Sequence, residues 1–375
     1  MTILLFVLFI LLIVYGILTD YYRRAWNAIP EFLPEAAPVM KISVIVAVRN
    51  EEKNIERLLN CLYRQDYPRD LYEVIIIDDH STDNTAALTK AFDHGDLTIT
   101  CLKLAEGSTS KKTAIATGVG IASGEIIFTT DADCEMNPSW ISILAAYFES
   151  TNARFVAAPV RMKSDKTLLG IFQSLDFLML QGITGASVSR RFHSMCNGAN
   201  LAYTKAAFNE VNGFDGIDTI PSGDDMLLMH KIFLKYPHQV FYLKNKNAIV
   251  TTEAERSWKD FFNQRIRWAS KATHYKDRKI FYVLLLIYLI NICFLGLAIA
   301  SAIHYNWLMF LLLFLIAKII IEFPFVNAVS MFFGQSSLMV YFPFLQPLHI
   351  IYTIIAGWLG KFGSYKWKSR IIKNN

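Results

Sequence analysis

Ile126-Ile127-Phe128-Thr129-Thr130-Asp131-Ala132-Asp133 is an apolar, largely β-branched run that stops on two carboxylates one residue apart. Outward from it, Ile42 to Val48, Val74 to Ile77, Leu97 to Leu102 and Phe155 to Val160 read as further strands. Between them, Asn54 to Tyr63, Asn84 to Phe92, Thr113 to Ala122 and Ser139 to Phe148 read as helices. Strands alternating with helices predict an α/β fold whose mainly parallel sheet is covered by helices. Ligands of such sheets bind beyond the carboxyl ends of the strands, where Asp78-Asp79 and Asp131 to Asp133 fall.

Past Lys163 the pattern is mixed. A long amphipathic helix is predicted around Leu168 to Gln181, then a Gly/Asn-rich stretch, Cys196-Asn197-Gly198-Ala199-Asn200. A helix follows Asp224-Asp225, short strands follow at Val240 to Leu243 and Ala248 to Thr251, and a helix runs from Trp258 to His274. No internal repeat interrupts this order.

Of the 375 residues, 53% are hydrophobic and mean hydropathy is positive, which exceeds the apolar share of an ordinary soluble domain. Ile3 to Leu18 carries no charge and is followed by Arg23-Arg24, so residues 1–20 read as a retained membrane anchor and 21–40 as a linker. Residues 41–279 form the expected cytoplasmic catalytic domain, 280–361 a membrane region and 362–375 a basic tail. In the membrane region, Phe281 to Ile303, Trp307 to Ile321 and Leu338 to Leu359 are candidate spans, while Phe323 to Phe333, broken by Pro324 and Asn327, reads as interfacial or re-entrant. Basic residues at Arg23-Arg24, Lys276 to Lys279 and the tail (Lys361, Lys366, Lys368, Arg370, Lys373) all ask for the cytoplasmic side, and three complete C-terminal spans would put that tail outside. The number of spans therefore stays open. The net charge of +5 lies largely beside the membrane, where it can meet lipid headgroups, and no basic patch interleaved with aromatics points to nucleic acid. Five cysteines without CxxC spacing fit a reducing cytoplasm.

Each polar cluster has two local readings. Asp131-Ala132-Asp133 is either a turn or a pair of ligands for a hard cation that bridges phosphates, and its place after the fourth strand favours the ligands. Asp78-Asp79, before Ser81-Thr82-Asp83, can accept hydrogen bonds from a nucleoside or shape the turn and cap. Gly223-Asp224-Asp225 opens a helix, where carboxylates serve the dipole or deprotonate a hydroxyl. Gln264, Arg267 and Trp268 share about one helical turn and offer a fork for phosphate and a flat apolar face, or an interfacial anchor. Lys111-Lys112 is a nucleotide contact or a solvated pair, and His80, His193 and His230 read as structural or polar residues.

In order, Val44-Ile45-Val46-Ala47-Val48-Arg49-Asn50-Glu51-Glu52, Asp78-Asp79, Asp131 to Asp133, Gly223 to Asp225 and Gln264 to Trp268 resemble the inverting family 2 glycosyltransferases. The membrane arrangement is similar to that of bacterial poly-N-acetylglucosamine synthases and ceramide glucosyltransferase-like enzymes. The resemblance, over about residues 40 to 275, implies a GT-A fold, a nucleotide-sugar donor (UDP-linked in most members) and Mg²⁺ or Mn²⁺. Carried over by position, Ala47, Arg49, Asn50, Glu51, Asp79, Lys111 and Asp131 bind the nucleotide sugar, and Asp133 holds the metal with Asp131 in support. Asp225 is the base, and Gln264, Arg267 and Trp268 serve the diphosphate and acceptor. Two departures stand out: Gly223-Asp224-Asp225 replaces Thr-Glu-Asp, and Ala116 stands where Asn is frequent. The implied function is transfer of a sugar to a lipid or lipid-linked glycan from the bacterial inner membrane, with membrane lipids around the enzyme and partner subunits undefined. A processive polysaccharide synthase and a noncatalytic sugar-nucleotide-binding membrane scaffold are the rival readings.

Overall fold

The computed structural model describes residues 2–92, 95–107, 110–218, 220, 222–271, 277–367 and 370–373. The chain divides into two compact units, one of residues 29–163 and 194–253, the other of residues 1–28, 164–193 and 254–375.

The first unit is built on a seven-stranded sheet in the order β3-β2-β1-β4-β7-β5-β8. Its strands are β1 (Ile42–Val48), β2 (Tyr72–Asp78), β3 (Thr98–Lys103), β4 (Ile126–Thr129), β5 (Phe155–Ala157), β7 (Leu201–Thr204) and β8 (Val240–Tyr242). The strands from β3 to β4 pair in parallel, with Val48 opposite Asp78 and Ile45 opposite Thr129, so the chain leaves all of them at one edge. Their continuous apolar runs reflect burial on both faces: Val44, Ile45, Ile76 and Phe128 are fully or almost fully buried. Helices α2 (Ile55–Tyr63), α3 (Thr85–Ala91), α4 (Lys111–Ile121) and α5 (Trp140–Ser150) follow the expected segments closely.

Two differences from the sequence reading have plain causes. The run from Phe155 splits into β5 and β6 (Val160–Lys163), because Pro159 has no N–H for a ladder; β6 pairs instead with β9 (Val250–Glu253). Strand β7, antiparallel to both β4 and β5, was not expected, since its four residues carry too little periodicity to register. Helices α7 (Lys205–Glu210) and α8 (Asp224–Lys235) follow it.

The second unit is helical: α1 (Thr2–Asn27), α6 (Leu168–Ser189), α9 (Trp258–Ser270), α10 (Arg278–Ile303), α11 (Leu308–Phe332) and α12 (Phe342–Phe362), with a terminal hairpin of β10 (Ser364–Trp367) and β11 (Arg370–Lys373). Five of these helices are long and apolar enough to cross a membrane: α1, α6, α10, a continuous stretch through α11, and α12. Only 22% of the apolar window of α1 is buried within the protein against 83% for α6, so α1 presents its apolar surface outward while α6 is an interior helix. Phe323 to Phe333 is not a separate interfacial segment. Helix α11 runs through Pro324, because fully buried Phe325, Val326 and Val329 pack the following turn and only one backbone hydrogen bond is forfeited. The expected end of α9 at His274, together with Lys276 and Lys368, lies outside the described residues.

Ionisable groups inside this unit are paired. Lys318 Nζ donates to Glu322 Oε1 at 2.6 Å, and Gln346 Nε2 donates to Glu322 Oε2 at 2.9 Å. On α6, Asp176 Oδ2 accepts from Arg265 Nε at 3.0 Å and lies 2.8 Å from Nη2. An ion buried in an apolar surround is tolerated only with such partners.

Candidate active site

At the ends of β1 and β2, Arg49 Nη1 donates to the Asp79 carbonyl at 2.9 Å and lies 3.5 Å from its carboxylate. Asn50, at φ 54°, accepts from the Thr82 amide at 2.8 Å through its side chain, and its own amide donates to Ser81 Oγ at 3.0 Å. The Glu51 amide donates to Thr85 Oγ1 at 2.7 Å. Asn tolerates the left-handed region better than most residues, so these bonds hold the turn after Val48 open at the strand ends. Ala47, the penultimate residue of β1, is half-buried and in register with Ile77. Asp78 and Asp79 are both buried, and Asp78 Oδ1 accepts from the Ser81 amide at 3.0 Å.

The two carboxylates after β4 diverge in environment. Asp131 Oδ1 accepts from Lys111 Nζ at 2.6 Å. Asp133 Oδ2 accepts from Thr252 Oγ1 at 3.1 Å, and Arg57 Nη2 donates to the Asp133 carbonyl at 3.1 Å. Burial, then the neighbouring Asp131 and Glu51 charges, push the Asp133 carboxyl up to about 6.

Lys111 also reaches Asp224 Oδ2, at 3.3 Å, on the first turn of α8. One ammonium therefore joins residues 20 and 113 positions away in the chain. Burial opposes the Lys111 charge, but Asp131 and Asp224 outweigh it and hold its pKa above the ordinary lysine value. Next door, Asp225 Oδ2 accepts from the Gly198 amide at 3.2 Å, while Asp225 Oδ1 accepts from the Met226 amide at 2.8 Å. A side chain at Gly198 would put its Cβ 3.1 Å from Lys111 Nζ and 3.6 Å from Asp224 Oδ2, so the backbone there passes close to both and any larger residue would press on the Lys111 ammonium.

The structure thus brings Lys111, Asp131, Asp224 and Asp225 together, with Asp133 on the same strand end. Gln264, Arg267 and Trp268 belong to α9 in the other unit, where Gln264 Nε2 donates to Glu255 Oε1 at 2.9 Å and Gln264 Oε1 accepts from Arg265 Nη1 at 2.6 Å. Arg265 also lies 4.2 Å over the Trp268 ring. Lys111 and Lys112 are not a solvated pair: Lys112 is 4% exposed. Sequence reasoning passed over Gly198, whose Gly/Asn-rich surroundings were its only signal. It also passed over Arg57, which links Asp133, Glu135 and Glu253.

Among the described residues no set of three or more His, Cys, Asp or Glu side chains forms a metal cage. Two carboxylates, one destabilised as an anion by burial and like charge, nevertheless fit a cation that takes its remaining ligands from water and a substrate's phosphates, as Mg²⁺ habitually does.

An open sheet with a parallel half, one antiparallel insertion and acidic residues after its central strands is the GT-A architecture. Over 96% of this chain and 99% of its own, the mannosyltransferase PcManGT of Pyrobaculum calidifontis, solved with GDP-Man and Mn2+, shares the fold with TM-score 0.66 at 20% identity. Residues 43–211 match Glycosyl transferase family 2. Residues 43–211 thus form a family 2 glycosyltransferase domain, and the chain's relatives include proteins named glycosyltransferases. The probable glycosyltransferase YdaM of Bacillus subtilis is 25% identical over 66% of this chain and 59% of its own length. The poly-beta-1,6-N-acetyl-D-glucosamine synthase of Staphylococcus epidermidis is 24% identical over 66% of this chain and 58% of its own. The beta-monoglucosyldiacylglycerol synthase of Synechocystis is 28% identical over 36% of this chain and 30% of its own. The chain thus spans under two thirds of the length of these curated relatives.

Proposed function

We propose that this protein is a membrane-bound inverting glycosyltransferase that moves a sugar from a nucleotide donor, UDP-linked, to a lipid or lipid-linked glycan. The observation that carries this reading is the bridge from Asp131 through Lys111 to Asp224, which ties the carboxylates at the end of β4 to the acidic start of α8. Donor-side and acceptor-side chemistry need such a fixed separation.

In this reading Arg49, Asn50, Glu51 and Asp79, with the Ala47 backbone beside them, form the nucleoside end of the site. Lys111 and Asp131 stand at the diphosphate. Asp133, seconded by Asp131, would hold Mg²⁺ or Mn²⁺, which supplies positive charge for the leaving diphosphate. Asp225 accepts the proton of the acceptor hydroxyl as that oxygen attacks the anomeric carbon; the glycosidic bond forms as the bond to the diphosphate breaks, and configuration inverts. The Gly198 amide aims the Asp225 carboxylate during that step. Gln264, Arg267 and Trp268 are assigned to the diphosphate and acceptor on motif resemblance alone.

The membrane reading is supported by the outward apolar surfaces of α1, α10, α11 and α12, and the basic residues Arg23 and Arg24 support a cytoplasmic catalytic domain. A lipid acceptor is favoured over a growing polymer because, of the five candidate spans among the described residues, α6 is interior and few remain to line a channel. The test is turnover of UDP-glucose, UDP-galactose, UDP-N-acetylglucosamine and GDP-mannose by detergent-solubilised protein with membrane lipid extract and Mg²⁺ or Mn²⁺, read by mass spectrometry. One sugar on a lipid is the expected product. A ladder of sugars identifies a polymer synthase, and no consumption of any donor contradicts the proposal.

A further inference from the structure

The chain between α7 and α8 is held by two lysines in a way that no sequence motif announced. Lys112 Nζ, on the first turn of α4, donates to the carbonyls of Ile217 at 2.6 Å, Ile220 at 2.6 Å and Ser222 at 3.1 Å. Lys231 Nζ, on α8, donates to the carbonyls of Gly213 at 2.7 Å and Asp215 at 2.8 Å, with Asn212 at 3.5 Å. Among the described residues, six main-chain oxygens of one segment therefore converge on two ammonium groups. The backbone that permits this is unusual, with φ of 54° at Asn212, 44° at Gly213, 77° at Gly216 and 82° at Gly223.

An ammonium has three donors and no acceptor, so convergent carbonyls suit Lys112 well. The converse matters more. Carbonyl dipoles aimed at one point repel one another unless a cation sits there, so the placement of the Ile217, Ile220 and Ser222 carbonyls depends on the Lys112 charge. Ser222, the third of its partners, immediately precedes Gly223, which caps α8, and then Asp224 and Asp225. The neighbouring Lys111 grips Asp131 and Asp224. Adjacent lysines at the start of one helix thus fix the same acidic turn from two sides, one through its side chains and one through its main chain.

We propose that Lys112 is a positioning residue for the transfer step: its ammonium, seated in the carbonyls of Ile217, Ile220 and Ser222, sets where the α8 N-terminus presents Asp225. The inference rests on the reading of Asp225 as the base. Displacement of a catalytic group by about 1 Å costs on the order of 10²-fold in rate, so the loss falls on kcat while the nucleotide pocket on β1 and β2 keeps its affinity.

The test compares Lys112→Met, Lys112→Arg, Lys112→Ala and Asp225→Asn, using the best donor of the panel for turnover and UDP calorimetry for binding. Lys112→Met keeps the apolar stem, so it should lose about 10- to 10²-fold in kcat with UDP affinity within about threefold of wild type. Lys112→Arg should recover part of the loss. Propylamine, which replaces the atoms missing from Lys112→Ala, should raise that variant's kcat and leave Asp225→Asn unchanged. Wild-type kcat in Lys112→Met, or equal losses of kcat and UDP affinity, would overturn the positioning role. Full turnover in Asp225→Asn would instead remove the base assignment and leave the Lys112 result to stand separately.

Discussion

Lys111 Nζ sits 2.6 Å from Asp131 Oδ1, and the same ammonium lies 3.3 Å from Asp224. Two carboxylates from distant parts of the chain therefore share one cation. Replacing it by an isosteric apolar chain, as in Lys111→Met, removes the positive charge that both carboxylates share. Turnover should fall by about 10²-fold or more, a loss comparable to that of a preorganised electrostatic contact. Steady-state kinetics of the variant checks this, and turnover within about twofold of wild type would show that the bridge has no part in the reaction.

Asp133 predicts metal dependence. Dialysis against EDTA should abolish donor consumption, and Mg²⁺ or Mn²⁺ should restore it. Asp133→Asn should lose at least about 10²-fold, with neither ion recovering it. Activity that survives EDTA would refute the cation reading of Asp131 and Asp133.

Asp176 and Arg265 form a buried pair with side chains only 3% exposed each. Removing one partner strands the other, so Asp176→Ala should destabilise by about 3 kcal/mol. The double variant Asp176→Leu/Arg265→Met should recover much of that loss. Thermal denaturation in detergent measures both, and additive losses in the double variant would rule out the pairing energy.

The GT-A half and its acidic landmarks were legible because their residues are contiguous: an apolar run followed at once by carboxylates defines both a strand and its functional end. Strand β4 was readable to the residue for that reason. Gly198 was not, because its importance comes from Lys111 and Asp224 approaching from other elements. Pro324 misled for the opposite reason: its local cost is real, but the packing of Phe325, Val326 and Val329 exceeds it. Neither reading of Lys112, as nucleotide contact or as half of a solvated pair, anticipated its main-chain carbonyl acceptors, which carry no sequence signature.

His193 gives a pH dependence. Its Nε2 lies 3.0 Å from both Tyr22 OH and Ser187 Oγ, and burial, against a smaller opposing effect of Asp277, pushes the imidazole down to about 4. The unfolded chain, with an ordinary histidine pKa near 6.5, binds the proton first as pH falls. Stability from the neutral ring is thus complete above about pH 6.5 and declines through the interval down to pH 4, by about 3 kcal/mol. His193→Gln should flatten that part of a melting-temperature profile. An unchanged slope between pH 6.5 and 4 would mean that His193 does not carry it.

The most direct test of the central claim is Asp225→Asn, which keeps the shape of the side chain and its acceptor for the Gly198 amide but cannot take a proton. With the donor panel, lipid extract and metal, the account predicts that sugar transfer falls by about 10²- to 10⁴-fold while UDP binding is unchanged. Transfer at the wild-type rate by Asp225→Asn would contradict it.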